Sequence, residues 1–480
     1  MRKTLRRSCD ACAKSKLSCD LRSPQCSRCI KRKTACVYAN QPLTSPPLQS
    51  TAVATQSSPN NAEDATVMHL TSSMTNVRSP GNQSFDPFDS YPRTRLPRAH
   101  VQRLIQHFLS NIAFQYYPLD LNAASNPFVV SWWPLALADP ALFHVSLQTA
   151  SLDIDLRAQK GFKSSEILMA DSVSLVRHRI ENPVLASRDE TMDSVVTLAA
   201  IEFGKGNTSI GTMHIDGVKR MVQMRGGMRQ LKLTSPLTAR MVSWVSMIVM
   251  QSPQFSTQED SGVGLGIAPI PQWRDADPDL RDLGLSRLDG LNLDPAISDI
   301  LFRLRSLFHN PERNNLTSTD LHDLTCFVLH RLLSWSPQQV YAHIPQAQMV
   351  SAGIRHAVAL YLLINHGPTY FSHAHLQYEL ILELKASIGH SLDFLCLSHP
   401  TLALWLLSVG LVASNGTPDY HWFVNQARIV AKSEDIHTWE DMLGRLKEIL
   451  WYPKLQTEHF FHHRWEEILA ITAHDQPSRQ

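Results

Sequence analysis

The stretch CDACAKSKLSCDLRSPQCSRCIKRKTAC, from Cys9 to Cys36, holds six of the eight cysteines in a chain of 480 residues. Its spacing is duplicated: Cys9-x2-Cys12-x6-Cys19 recurs as Cys26-x2-Cys29-x6-Cys36, displaced by seventeen residues. The basic N-terminus MRKTLRRSCDAC is followed by no apolar h-region, so no secretory signal is expected. In the reducing compartment this implies, disulfides are disfavoured and clustered thiols act as metal ligands or redox groups. A structural zinc ion takes four ligands, so six thiolates satisfy two ions only if two of them bridge. The repeat makes Cys9 and Cys26 the simplest bridging pair. One zinc is then held by Cys9, Cys12, Cys19 and Cys26, and the other by Cys26, Cys29, Cys36 and Cys9. A redox pair or a metallothionein-like sink explains neither the duplication nor the lysines in its gaps.

Charge is segregated. Residues 1–40 carry eleven Lys and Arg against Asp10 and Asp20, while the remainder has 34 basic and 41 acidic side chains. A basic head on a mildly acidic body calls for a polyanionic partner. Six thiolates and two Zn2+ leave the cluster at −2, which the surrounding cations outweigh. A short helix is expected after each C-x2-C, over Ala13–Ser18 and Ile30–Ala35. Lys14, Arg6, Arg7, Arg28, Lys31, Arg32 and Lys33 are candidates for phosphate contacts, which add salt-dependent affinity without specifying sequence.

The six-cysteine spacing, with Asp20 after Cys19 and Pro24 two residues before Cys26, resembles the fungal Zn(2)-Cys(6) binuclear cluster. The resemblance implies two structural zinc ions, double-stranded DNA as partner, the nucleus as location, and transcription of RNA polymerase II genes as the regulated process. It implies that a lysine near the end of the first helix reads a CGG-like triplet, and Lys16 occupies that position. Such a residue must reach guanine O6 and N7 in the major groove. Ala13 and Ser15 stand where the family commonly has basic residues, a departure that leaves the triplet preference open to relaxation. The run Lys31–Lys33 with Arg6 and Arg7 also suits nuclear import.

From 41 to 97 the composition turns to Ser, Thr, Pro, Asn and Gln with few large apolar residues, and this linker is expected to be disordered. Heptads of the kind that dimerise many cluster proteins are missing there, so a homodimer and its half-site spacing stay open. SFDPFDSY (Ser84–Tyr91) alternates acidic and aromatic residues as short activation motifs do, and Ser45, Ser58 and Ser79 each precede proline.

Residues 98–480 read as one large all-α domain. Val101, Leu104, Ile105, Phe108 and Ile112 recur at helical spacing. Asp139 is the expected N-cap of a helix starting at Pro140, and Ser187 with Glu190 has a capping-box pattern. Further periodic segments lie near 297–308, 320–335, 346–366, 376–395, 399–414 and 457–472, with a Pro-, Gly- and Asp-rich loop from Ser252 to Pro295. Thr401–Ala413 is the longest nearly apolar run; it is shorter than the roughly 20 residues of a membrane span and reads as a buried helix, so no membrane partner is expected. HIDGVKRMVQMRGGMRQL (His214–Leu231) reads as a helix stopped by Gly226 and Gly227, with Arg225 in its last turn. That segment, with DPALFHVSLQTAS near Asp139, resembles the fungal-specific transcription factor domain, which implies a regulatory body acting through coregulators or a ligand. No catalytic pattern stands out. GVGLG (Gly262–Gly266) lacks the strand and acidic partner of a dinucleotide site. His459 and His463 lack a third metal ligand, and Cys326 and Cys396 are expected core thiols. The chain is therefore expected to be a regulator rather than an enzyme, and the family resemblance implies metabolic genes, including secondary-metabolite clusters, as its targets. A repressor, or a ligand-sensing receptor tethered to DNA through the helical domain, is the alternative.

Overall fold

The computed structural model describes residues 10–15, 27–34, 91–159, 161–276, 288, 290–309, 316–336 and 345–474. In the head these are two short helices, α1 (Asp10–Lys14) and α2 (Ser27–Arg32), packed against each other. Each starts three residues earlier than the sequence had suggested. The helices thus begin before the second cysteine of each C-x2-C rather than after it, and Cys12 and Cys29 lie inside them. Lys33, at φ 51°, turns the backbone left-handed just after α2.

The body is helical throughout; among the described residues its β-type pairing is a single bridge between Thr257 and Ile267. α3 (Arg98–His107) runs through a π-helical turn, Phe108–Ile112, into α4 (Ala113–Tyr116). A second π-helical turn, Phe128–Trp132, leads into α5 (Trp133–Ala138). Then follow α6 (Pro140–Ala158), α7 (Lys163–Ile180), α8 (Pro183–Ala186), α9 (Asp189–Gly204), α10 (Thr208–Met224), α11 (Gly227–Thr234) and α12 (Pro236–Met250). After α13 (Pro271–Asp275), which interrupts the expected loop, come α14 (Pro295–His309), α15 (Ser318–Ser334), α16 (Pro345–His366) and α17 (Ala374–Ser398). α18 (Pro400–Ala413), α19 (Tyr420–Ser433), α20 (Trp439–Ile449) and α21 (Leu455–His474) complete the body.

Several helices are buried on every side over much of their length, among them α9 from Thr191 to Glu202 and α15 from Leu321 to His330. α6 is buried from Ala141 to Asp153, and α18 from Thr401 to Leu411. Gly410 lets α18 touch α19, since a Cβ there would lie 2.1 Å from the ring of the fully buried Phe423. The window Gln346–His366 in α16 is long and apolar enough to cross a membrane, but 72 % of it is buried inside the body, as in a core helix.

The expected N-cap at Asp139 is present: its Oδ1 accepts from the Leu142 N–H at 2.9 Å. Ser187 and Glu190 form no capping box. Asn182 caps α8 instead, Ser187 lies at the end of that turn, and α9 starts from an extended Arg188. True capping boxes stand at Thr317 with Asp320 and at Thr438 with Asp441, where the shorter Asp takes the role expected of Glu. Residues 91–97, assigned to the linker from composition, lie on the body. Tyr91 stacks on Phe143 at 5.6 Å between centroids, and Arg95 pairs with Asp171 at 2.7 Å. The rest of SFDPFDSY and the three Ser-Pro sites lie outside the described residues.

Candidate functional site

In the head, the repeat survives in three dimensions. α1 and α2 begin at Asp10 and Ser27, positions equivalent under the seventeen-residue offset. Cys12 and Cys29 are therefore equivalent as well, and each is only 2 % exposed. Lys14 and its counterpart Lys31 are exposed, as are Arg28, Arg32 and Lys33. Thiols face in and cations face out. That arrangement fits soft sulfur donors gathered around metal under a basic surface. Cys9, Cys19, Cys26 and Cys36, and with them Arg6, Arg7 and Lys16, lie outside the described residues.

In the body, the helix expected to stop at Gly226 and Gly227 does so, and a second helix follows directly. α10 ends at Met224, and Gly226 (φ 88°) and Gly227 (φ 90°) reverse the chain into α11. Only glycine tolerates two successive residues of that kind at low cost. Arg225 does more than face a helix dipole. Its Nη1 donates to Ser187 O at 2.8 Å and Asp189 Oδ1 at 2.7 Å, and its Nη2 to Thr234 Oγ1 at 2.9 Å and Ser235 Oγ at 3.0 Å. The Ser235 hydroxyl in turn donates to Asp189 Oδ2 at 2.6 Å. One guanidinium thus ties the end of α10 to the start of α9 and the α11–α12 junction.

Sequence reading missed a buried cluster of rings. His322 and His366 share a hydrogen bond of 2.9 Å, and Trp244 stacks on His366 at 4.3 Å and meets His373 edge-on. Burial pushes His322 and His373 down to about 4, and drives His366 far below the ordinary value with help from its two neighbours. All three rings are neutral near pH 7. Next in sequence to His322, Asp323 accepts Arg240 Nε at 2.9 Å and also Lys232. Burial would raise the Asp323 pKa, but Arg240 and Lys232 outweigh it and hold the carboxyl below its usual range. No sequence signal could have joined these residues, which come from α11, α12, α15, α16 and the turn before α17.

The remaining candidates sort simply. Cys326 is buried and its thiol is pushed up to about 12 by burial, so it is inert near neutrality. Cys396 is only partly buried. Gly262–Gly266 is a loop, and His459 and His463 lie exposed on α21 with stacked rings. Among the described residues no group of His, Cys, Asp and Glu is arranged to hold a metal.

Two family models match the chain: the fungal Zn(2)-Cys(6) binuclear cluster domain over residues 7–45, and the fungal specific transcription factor domain over residues 103–356. The second spans just over half of the 480 residues. A relative from Emericella nidulans, the "Monodictyphenone cluster transcription factor", is 65 % identical over 34 residues, 7 % of this chain and 8 % of its own. No solved structure matches.

Proposed function

This chain belongs to the fungal specific transcription factor domain family and carries a zinc-cluster DNA-binding module at its head, and from that premise we propose how it reads DNA. Six thiolates, Cys9, Cys12, Cys19, Cys26, Cys29 and Cys36, hold two zinc ions, with Cys9 and Cys26 shared between them. Bound zinc is structural: it cross-links α1 to α2 in a head too small to bury a core of its own. The observation that carries this reading is the register of the two helices, which bury Cys12 and Cys29 at equivalent positions while exposing Lys14 and Lys31.

Lys16 reads a CGG-like triplet in the major groove, and Arg6, Arg7, Lys14, Arg28, Lys31, Arg32 and Lys33 supply phosphate contacts. The chain acts in the nucleus, and the named role of the Emericella nidulans relative supports a metabolic or secondary-metabolite gene cluster as its target. Domain limits near 1–40, 41–90 and 91–480 accompany this reading, the linker expected to end at 97 being shortened because residues 91–97 pack on the body. Binding-site selection with the full-length zinc-loaded protein tests it. Enrichment of a CGG-like triplet that Lys16→Ala abolishes is expected. Selection of no common sequence, or unchanged selection by the variant, overturns the assignment.

A further inference from the structure

A cavity of about 480 Å³ opens where the end of α16, the start of α17, the end of α18 and the first half of α21 meet. Its size is that of a small-molecule site. It lies at residues 363–464, beyond the segment that matches the family model. Ile364, Val412 and Phe460 give it an apolar wall. Its polar wall is one-sided: His373, His459, His463 and Arg464 line it, and among the described residues no Asp or Glu does.

Arg464 Nη1 donates to Glu467 Oε1 at 2.7 Å, and the guanidinium lies over the Tyr420 ring and also bonds its hydroxyl. Glu467, which also accepts the Tyr420 hydroxyl at 2.8 Å, holds the guanidinium in place and offsets part of its charge. His459 and His463 stack at 6.4 Å. His373 lines the cavity as well, but its unpaired Nδ1 is sealed from it, so the imidazoles within a ligand's reach are the exposed His459 and His463, the latter 3.6 Å from Glu467.

We propose that this cavity binds a small organic carboxylate, an apolar aliphatic or aromatic body ending in one anionic group. The body lies against Ile364, Val412 and Phe460; the carboxylate is held by Arg464, with imidazole N–H groups as further donors. Arginine suits this because its planar fork matches the two carboxylate oxygens. A cationic ligand has no counter-charge in the lining, and a purely apolar one leaves the Arg464 guanidinium without a ligand contact.

The test is calorimetric titration of the purified full-length protein with decanoate, 1-naphthoate and indole-3-acetate, and with 1-naphthamide as the uncharged match. Saturable one-to-one binding of at least one acid is expected, with naphthoate at least about tenfold tighter than naphthamide if it is the binder. Arg464→Gln is expected to weaken the binding acid by at least tenfold. Asn415→Trp, a bulky side chain at an exposed lining position, should weaken it without touching any anion contact. Circular dichroism checks that each variant is folded; if Arg464→Gln is not, the exposed His459→Ala with Asn415→Trp decides. Absence of saturable binding by all three acids, equal affinity for naphthoate and naphthamide, or indifference of binding to the folded variants overturns the proposal. The readout is ligand binding without DNA, so it stands or falls separately from triplet reading.

Discussion

Arg225 offers the sharpest test of how the body is held together. Its guanidinium makes four hydrogen bonds at 2.7–3.0 Å to two separate segments, and the Arg225 and Asp189 side chains are 22 % and 29 % exposed. Charged hydrogen bonds are worth about 1.5–3 kcal/mol each when isolated, and breaking a fully buried pair costs about 3–5 kcal/mol. Four full contributions would overshoot, because the contacts share one side chain and because water reaches the partly exposed pair. Arg225→Ala should therefore destabilise the body by about 2–3 kcal/mol. Arg225→Lys should recover less than half of that, since a single ammonium cannot span Asp189 on one side and Thr234 and Ser235 on the other. Urea unfolding of the full-length variants, followed by circular dichroism in the helical region, gives the number. A loss below about 0.5 kcal/mol, typical of an exposed surface pair, would refute the stapling role. Equal behaviour of alanine and lysine would confine the effect to lost packing. A cycle with Asp189→Asn isolates the ionic part, and a coupling near zero would place the stabilisation in the hydroxyl and carbonyl contacts.

Chelation of zinc should unfold the head and abolish sequence-specific DNA binding, with recovery on re-addition; specific binding that survives complete zinc removal would contradict a structural role for the metal. Lys16→Ala should lose discrimination between cognate and scrambled duplexes while keeping salt-sensitive affinity, measured by mobility shift at two salt concentrations. Acid should destabilise the body early: His322 and His373 titrate in the folded state at about 4 but near 6.5 when unfolded. Between those values the unfolded chain binds the extra protons, so stability falls with pH by about 1.4 kcal/mol per unit for each such histidine. Urea titrations of wild type and His373→Gln at pH 7.0 and 5.5 should show a shallower fall in the variant. Gly410→Ala should destabilise despite alanine's better helix propensity, because its methyl meets the Phe423 ring; Phe423→Leu should relieve part of that loss, and additive effects in the cycle would argue against the contact.

The cysteine spacing alone determined the zinc-cluster character of the head, because metal coordination imposes ligand number and spacing on a short stretch of chain. It did not by itself set the helix limits, which begin before Cys12 and Cys29 rather than after them. In the body, amphipathic periodicity was enough to find α3, α14 and α17, where one face is wet and one dry, while α15 was found although it is buried all round from Leu321 to His330. Asp139 announced the start of α6 for the same local reason: a cap acts within three residues of itself. α12, which is apolar on nearly all sides, carries little periodic signal, and α19 and α20 went unremarked although their apolar stripes were there to find. Ser187 shows where local rules lose, because Asn182 began a competing turn a few residues upstream. What only the tertiary structure decided lies in contacts between residues distant in sequence: Tyr91 on Phe143, Arg225 on two separate segments, the rings of Trp244, His322, His366 and His373, and a cavity bounded by four helices. Those contacts depend on how packed helices bring their ends together. Spacing along the chain reports only what a residue does within its own turn or coordination shell.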